Sequence, residues 1–395
     1  LNKNMIIKEV KAKSILDSNG NECIEVSINK NVASIGYGVS RSSKEAIAYP
    51  KQGVGFVVNK INNELSLKLK GLKLECFDDL ELIEERFDTE LLGHSALVAM
   101  EMAVLKSINT EVWRVVNKNA FKLPIQLGNC IGGGVHIKAQ DAPDIQEFLL
   151  IPRTDSFEEG FYANLRAYKL IGDRLKTERK DIENAYVPRM SCVELLEFLN
   201  DIISKVDSEL GVKIEIGIDV AASQLYKKGN YIYKNFSKDK KEKSLGVYEQ
   251  LHFLASLVND FNVKYIEDPF EENDFESFSK LKKMVKGKCL VTGDDLTSTN
   301  PFLIKKAIQN DSINAVIIKP NQIGSLLTMR ESILISKDNN IKIVFSHRSG
   351  ETLDNTIADL AFGFKSDYVK FGIMGRERVV KLKELVNIEK GLILS

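Results

Sequence analysis

The sequence predicts an α/β protein in which an N-terminal α+β domain precedes a (β/α)8-type barrel, and three observations carry that prediction. Strand-period and helix-period hydrophobicity are segregated in the first third of the chain and alternate thereafter. In the later part, short apolar runs each end in a charge or an imidazole: VKIEIGID at Asp219, KYIED at Glu267, CLVTGDD at Asp294 and Asp295, AVIIK at Lys319, IVFSH at His347 and DYVK at Lys370. From Glu267 onward these ends recur every 23 to 28 residues, the length of one strand plus one helix. Eight such units occupy roughly 250 residues, the span from Pro124 to about Leu382.

Each segment supports the division. Ile24, Val26 and Ile28 alternate after the turn-like Ser18-Asn19-Gly20-Asn21, and from about Asn59 to Lys106 apolar positions recur at three and four residues. Pro124 and the glycine-rich GNCIGGG at 128–134 break that pattern, which sets the domains at 1–120 and 124–395. Ser156 and Glu159 read as a capping box ahead of Phe157, Phe161 and Leu165. The longer interval between Asp219 and Glu267 holds a hairpin, LYKKGNYIYKN, and the lysine-rich SKDKKEK. The alternative architecture is a doubly wound open sheet, but its dinucleotide-binding glycine fingerprint is absent.

Composition narrows the function. The 395 residues are 44% hydrophobic and 28% charged, with 55 basic and 55 acidic side chains, so no net field recruits nucleic acid or an anionic membrane. The five cysteines are far apart and form no C-x-x-C pair, as in a reducing compartment without a zinc ribbon. The most apolar stretch, Leu91 to Leu105, is interrupted by His94 and Glu101 and reads as a buried helix, too short to span a bilayer. With no secretory pattern at its start, the chain is expected in the cytoplasm, acting on a small molecule.

The charges at the strand ends suggest the chemistry. At the mouth of a barrel Asp219, Glu267 and Asp294 converge, and three carboxylates together require a cation; oxygen-only donors suit magnesium or manganese. Each acid alone is more commonly a helix cap or turn residue, and it is their recurrence on successive strand ends that argues for a site. Lys319 and Lys370 face the same mouth, where a divalent cation and a second lysine would destabilise an ammonium and make a base. A proton taken from beside a carboxylate leaves a dianionic enolate that a metal stabilises. Glu147 and Glu183 are candidate acids for a hydroxide leaving group, although either is as readily a surface residue. His347, Arg348 and Ser349 form an anion cradle suited to phosphate, and His136 follows the glycine run, where a lone histidine is more often structural.

At these residues the chain resembles the enolase family. The segments ILDSNGNECIEV, DIQEF, IGIDVAAS, YIEDPFEENDF, VTGDDLTSTN, IIKPNQIGSL, FSHRSGET and TIADLAFG carry the resemblance across nearly the whole chain. It implies magnesium-dependent dehydration of 2-phosphoglycerate to phosphoenolpyruvate through two Mg2+ ions; a lysine base beside magnesium is general to enolase-superfamily sites. It further implies Asp219, Glu267 and Asp294 as ligands of the first ion, Lys319 as the base at carbon 2 and Lys370 as the holder of the substrate carboxylate. Glu183, with Glu147 beside it, matches the acid pair at the carbon-3 hydroxyl; Arg348 and Ser349 match phosphate ligands, and His347 and His136 the site histidines. Ser40 matches the loop serine that holds the second ion, in a loop reading YGVSRSSKEA where the family has S-G-A-S-T-G, and IENAY stands for the family's D-E-G-G-F. A homo-oligomer, dimer or higher, is implied as well. The alternatives are another enolase-superfamily enzyme acting on a different carboxylate, and a catalytically silent enolase-like binding protein.

Overall fold

The computed structural model describes residues 5–38, 42–137, 141–237, 239 and 241–394. In the N-terminal region the strands Val10–Leu16, Glu22–Ile28 and Asn31–Ser34 form an antiparallel sheet. The alternation sets its inner face: Ile24, Val26 and Ile28 are fully buried, and the sheet packs on the helix His94–Ile108. That helix is buried continuously from Ser95 to Leu105, because the sheet covers one side and the barrel another. The Glu101 carboxylate crosses to the barrel, where its Oε2 accepts the backbone N–H of Leu326 at 2.9 Å. The expected helical stretch from Asn59 is less regular than its periodicity. It starts at Gly53, passes through a π turn at Ile61–Leu65, and is interrupted by the strand Lys73–Leu74, which pairs with Met5–Ile6.

Among the described residues, nine strands form the barrel sheet. In spatial order they are Ile125–Gln126, Tyr368–Lys370, Lys342–Ser346, Ala315–Ile318, Leu290–Gly293, Tyr265–Glu267, Lys213–Asp219, Glu147–Arg153 and Gly128–Gly132. Only Leu127 separates the first strand from the last along the chain, so the covalent backbone joins the two ends of the sheet. Period two divides the side chains of each strand. Val316 and Ile318 join the main apolar cluster, whereas Ala315 and Ile317 join Leu149, Ile151, Val344 and Tyr265 in a second cluster drawn from the barrel strands.

Three expectations need correction. The sheet is not wholly parallel: Gly128–Gly132 and Glu147–Arg153 are joined without a helical crossover, so Glu147–Arg153 runs antiparallel to both its neighbours. The glycine-rich segment is chiefly a barrel strand rather than a break, and a Cβ at Gly132 would lie 1.9 Å from Asp181 Oδ2. Ser156 caps its helix, accepting from Glu159 N at 3.2 Å, but the Glu159 carboxylate turns to the Thr154 hydroxyl; a complete capping box forms instead at Ser191 with Glu194. Glu183 itself lies in residues 180–186, which form turns and isolated bridges. The hairpin holds: Tyr226–Lys227 pairs with Asn230–Tyr233, and Lys243–Gly246 extends it. No helix among the described residues is long and apolar enough to cross a membrane.

Asp359, on the barrel helix Thr356–Gly363, accepts the N–H of Trp113 at 3.2 Å and so ties the helix Val112–Asn117 to the barrel. Burial, then the nearby Glu384 charge, pushes its carboxyl up to about 7. Between the unfolded value near 4 and that folded value the native state binds the extra proton, so this group's contribution to stability is present at low pH and is lost as pH rises. Asp359→Asn should therefore flatten the fall in stability between about pH 4 and 7, compared by urea unfolding with the unsubstituted chain. Parallel pH profiles for the two proteins would contradict it.

Candidate active site

Ten of the twelve site residues expected from sequence line a single pocket at the barrel mouth. Glu267 is fully buried behind Lys370, and Ser40 lies outside the described residues. Strand geometry explains the convergence. Asp219, Glu267 and Lys370 are the last residues of their strands, and Asp294, Lys319 and His347 each follow theirs by one. Glu147 is the first residue of its strand, yet the antiparallel inversion sets it directly opposite Asp219.

Lys370 is the electrostatic hub. Its ammonium lies 2.8 Å from Asp219 Oδ2, 3.0 Å from Glu267 Oε1 and 3.2 Å from Glu147 Oε2. Burial works against its charge, but Asp219, Glu147 and Glu267 outweigh burial and hold the lysine well above its ordinary range. The second oxygens of two of these carboxylates are also engaged: Glu267 Oε2 accepts the Tyr265 hydroxyl at 2.6 Å, and Asp219 Oδ1 accepts Ala221 N at 3.0 Å.

Lys319 is held by a carboxylate of its own. It pairs with Asp294 Oδ2, and although burial works to lower it, Asp294 raises it above the usual lysine value. A carboxylate next to the ammonium favours its charged form. Asp294 is fixed on its other oxygen by Gln322 Nε2 at 3.0 Å, and Gln322 in turn accepts the Thr299 hydroxyl at 2.7 Å. Beneath Asp294, Asp268 holds a left-handed φ of 40° and accepts the N–H groups of Asp294 and Asp295 at 3.0 and 2.7 Å.

The two candidate acids are driven apart. Burial holds Glu147 well above the carboxylate range despite Lys370. Burial also works to raise Glu183, but His347, 3.3 Å away, and then His136 and Arg378, hold it well below that range. Glu183 Oε2 additionally accepts from Asn129 Nδ2 at 3.2 Å. The two carboxyls of the pair are thus driven in opposite directions, Glu147 toward its protonated form and Glu183 toward its charged form. The turn that presents Glu183 is built by Asp181, whose Oδ1 accepts the N–H groups of Glu183 at 2.8 Å and Ala185 at 2.9 Å. Burial lowers His136 and His347 below the usual imidazole value.

The donor set fits a hard divalent cation, being rich in buried carboxylate oxygen and free of thiolate. Burial and the neighbouring acids push Glu267 up to about 8 and Asp295 to about 7, a charge excess that a cation would relieve. The groups whose ligand atoms lie within 4.8 Å of one another are Asp268, Asp294 and Asp295, and His136, Glu147 and Glu183; the expected trio of Asp219, Glu267 and Asp294 is not among them. Both Asp268 oxygens already accept backbone N–H groups.

Asp181→Ala leaves the buried N–H groups of Glu183 and Ala185 without their acceptor, at a cost of about 1–3 kcal/mol each. It should lower both stability in urea and turnover, whereas Asp181→Asn, which keeps an acceptor oxygen, should stay near the unsubstituted protein in both. Equal loss in the two variants would show that the Asp181 charge, rather than the turn it builds, matters.

Residues 120–394 match the family model described as "Enolase, C-terminal TIM barrel domain". The chain is 35% identical to an enolase of Thermoplasma acidophilum, with 98% of each chain aligned. It is 36% identical to one of Archaeoglobus fulgidus, again over 98% of each. A third, from Methanothermobacter thermautotrophicus, is 34% identical over 98% of this chain and 96% of its own. A barrel whose strand ends bring these acids, lysines and histidines to one mouth, together with similarity along its whole length, makes this chain a member of the enolase family.

Proposed function

We propose that the chain is a phosphopyruvate hydratase, a lyase that converts 2-phosphoglycerate to phosphoenolpyruvate and water. The observation that carries the reading is that Lys319, the acid pair Glu147 and Glu183, and the Arg348–Ser349 cradle line one pocket with the carboxylates of three strand ends beside it. Its relatives bear the name enolase over almost their full lengths. Asp219, Glu267 and Asp294 would hold the first of two magnesium ions and Ser40 would take part in holding the second. When bound, magnesium supplies the positive charge that offsets the buried acids, including the Asp294 carboxylate now spent on Lys319, and stabilises the dianion left by proton removal.

Lys319 takes the carbon-2 proton, Lys370 holds the substrate carboxylate, and Arg348 with Ser349 holds the phosphate. The carbon–oxygen bond at carbon 3 then breaks, and hydroxide leaves with a proton from the acid pair, completing water. Glu183 is the donor in this reading, with His347 and His136 setting its charge. A second reading makes Glu147 the donor, favoured by the burial that keeps its proton in place. Residues 1–120 serve as a cap on the barrel of 124–395, and the protein works as a cytoplasmic homo-oligomer.

The two steps separate in deuterated water. Glu183→Gln should lower dehydration by about 10²–10⁴-fold while the carbon-2 hydrogen of 2-phosphoglycerate still exchanges, and Lys319→Ala should lose exchange and product together. If Glu147→Gln alone blocks dehydration with exchange intact, Glu147 is the donor. If Lys319→Ala still exchanges the proton, Lys319 is not the base.

A further inference from the structure

The Arg348 guanidinium is gripped by the N-terminal region as well as by the barrel. Glu45, whose side chain is 3% exposed, places Oε2 at 2.9 Å and Oε1 at 3.1 Å from Arg348 Nη2. The carboxylate is seated independently of the arginine: Oε1 accepts Ser42 N at 3.3 Å, and the neighbouring Ala46 N donates to the Gln322 carbonyl at 2.9 Å. On its other nitrogen, Arg348 Nη1 donates to Asn321 Oδ1 at 3.2 Å, and Asn321 Nδ2 donates to the Gly36 carbonyl at 2.9 Å. The Gly38 backbone covers the guanidinium so closely that a Cβ there would lie 2.2 Å from Nη2. Arg348 also lines the pocket, as does Lys319.

Glu45 therefore acts on Arg348 in two opposite ways. Its oxygens fix the plane of the guanidinium, which favours bidentate recognition of an anion. Its charge, buried beside the same group, offsets the cation and opposes any second anion brought there. We infer that Glu45 is a specificity-determining residue of the anion cradle: it weakens the grip of Arg348 on a bare phosphate, so that retention depends on contacts made by the rest of a phosphorylated carboxylate. The inference rests on the reading that Arg348 receives phosphate.

Glutamine separates the two effects, because Glu45→Gln keeps one acceptor oxygen and removes the charge. The test measures inorganic phosphate binding to the full chain by titration calorimetry at fixed magnesium and ionic strength, with folding of each variant checked by circular dichroism. Glu45→Gln should bind phosphate about tenfold or more tightly than the unsubstituted chain, and Glu45→Asp, which keeps the charge, should stay near it. Arg348→Gln should abolish the gain when combined with Glu45→Gln. Unchanged or weaker phosphate binding in Glu45→Gln, while Arg348→Gln alone weakens it, would overturn the inference, as would identical behaviour of the Gln and Asp variants. Phosphate binding indifferent to Arg348→Gln in both backgrounds would instead bring down the cradle reading and the inference with it.

Discussion

The buried ammonium of Lys370, shared among Asp219, Glu147 and Glu267, is the interaction on which the rest of the barrel mouth depends. Three carboxylates this deeply buried repel one another and have given up hydration, so each needs a cation or a proton. Lys370 supplies the cation, and burial drives Glu147 toward its protonated form. The same logic repeats in and around the pocket: Asp294 takes Lys319, Arg348 takes Glu45, and Glu351 takes Lys381. Such an arrangement is weak evidence for stability, since buried ion pairs seldom repay their desolvation. It is better understood as a site whose charges are held in place for a ligand.

The backbone makes this possible by bringing most of the site's charge to strand ends, with Glu147 at the start of its antiparallel strand and Glu183 on a turn. Apolar alternation closes the barrel interior with residues such as Ile151, Tyr265 and Ile317. The N-terminal region then covers part of the mouth, and Glu101 and Glu45 tie it to the barrel through Leu326 and Arg348. Residues far apart in sequence thus become one electrostatic unit.

Much of this was legible in the sequence because strand ends announce themselves: an apolar run followed by Asp219, Glu267, Lys319 or Lys370 reports both the element and the direction of its side chain. Glu147 was harder to read. At the start of a strand it would lie at the far end of a parallel barrel, and only the antiparallel inversion, which no local pattern signals, brings it beside Asp219. The glycines at 128–134 read as a break because nothing local reveals that Asp181 comes to lie against Gly132. Gln322, Asn321 and Glu45 went unseen because their roles arise from contacts across 20 to more than 300 residues of chain. Asp181 left a trace, since an aspartate two residues before Glu183 is the spacing of a side-chain-built turn. The raised pKa of Lys319 had no trace at all, because it depends on where the Asp294 carboxylate points.

The central claim is that these charges are assembled to remove a proton and a hydroxide from 2-phosphoglycerate. The most direct measurement adds 2-phosphoglycerate to the purified chain and follows the ultraviolet absorbance of the enol phosphate while magnesium is titrated in. The account predicts an absorbance that rises with time, depends on magnesium, and is lost when chelator is added. A flat trace from folded protein at saturating magnesium and substrate would contradict it.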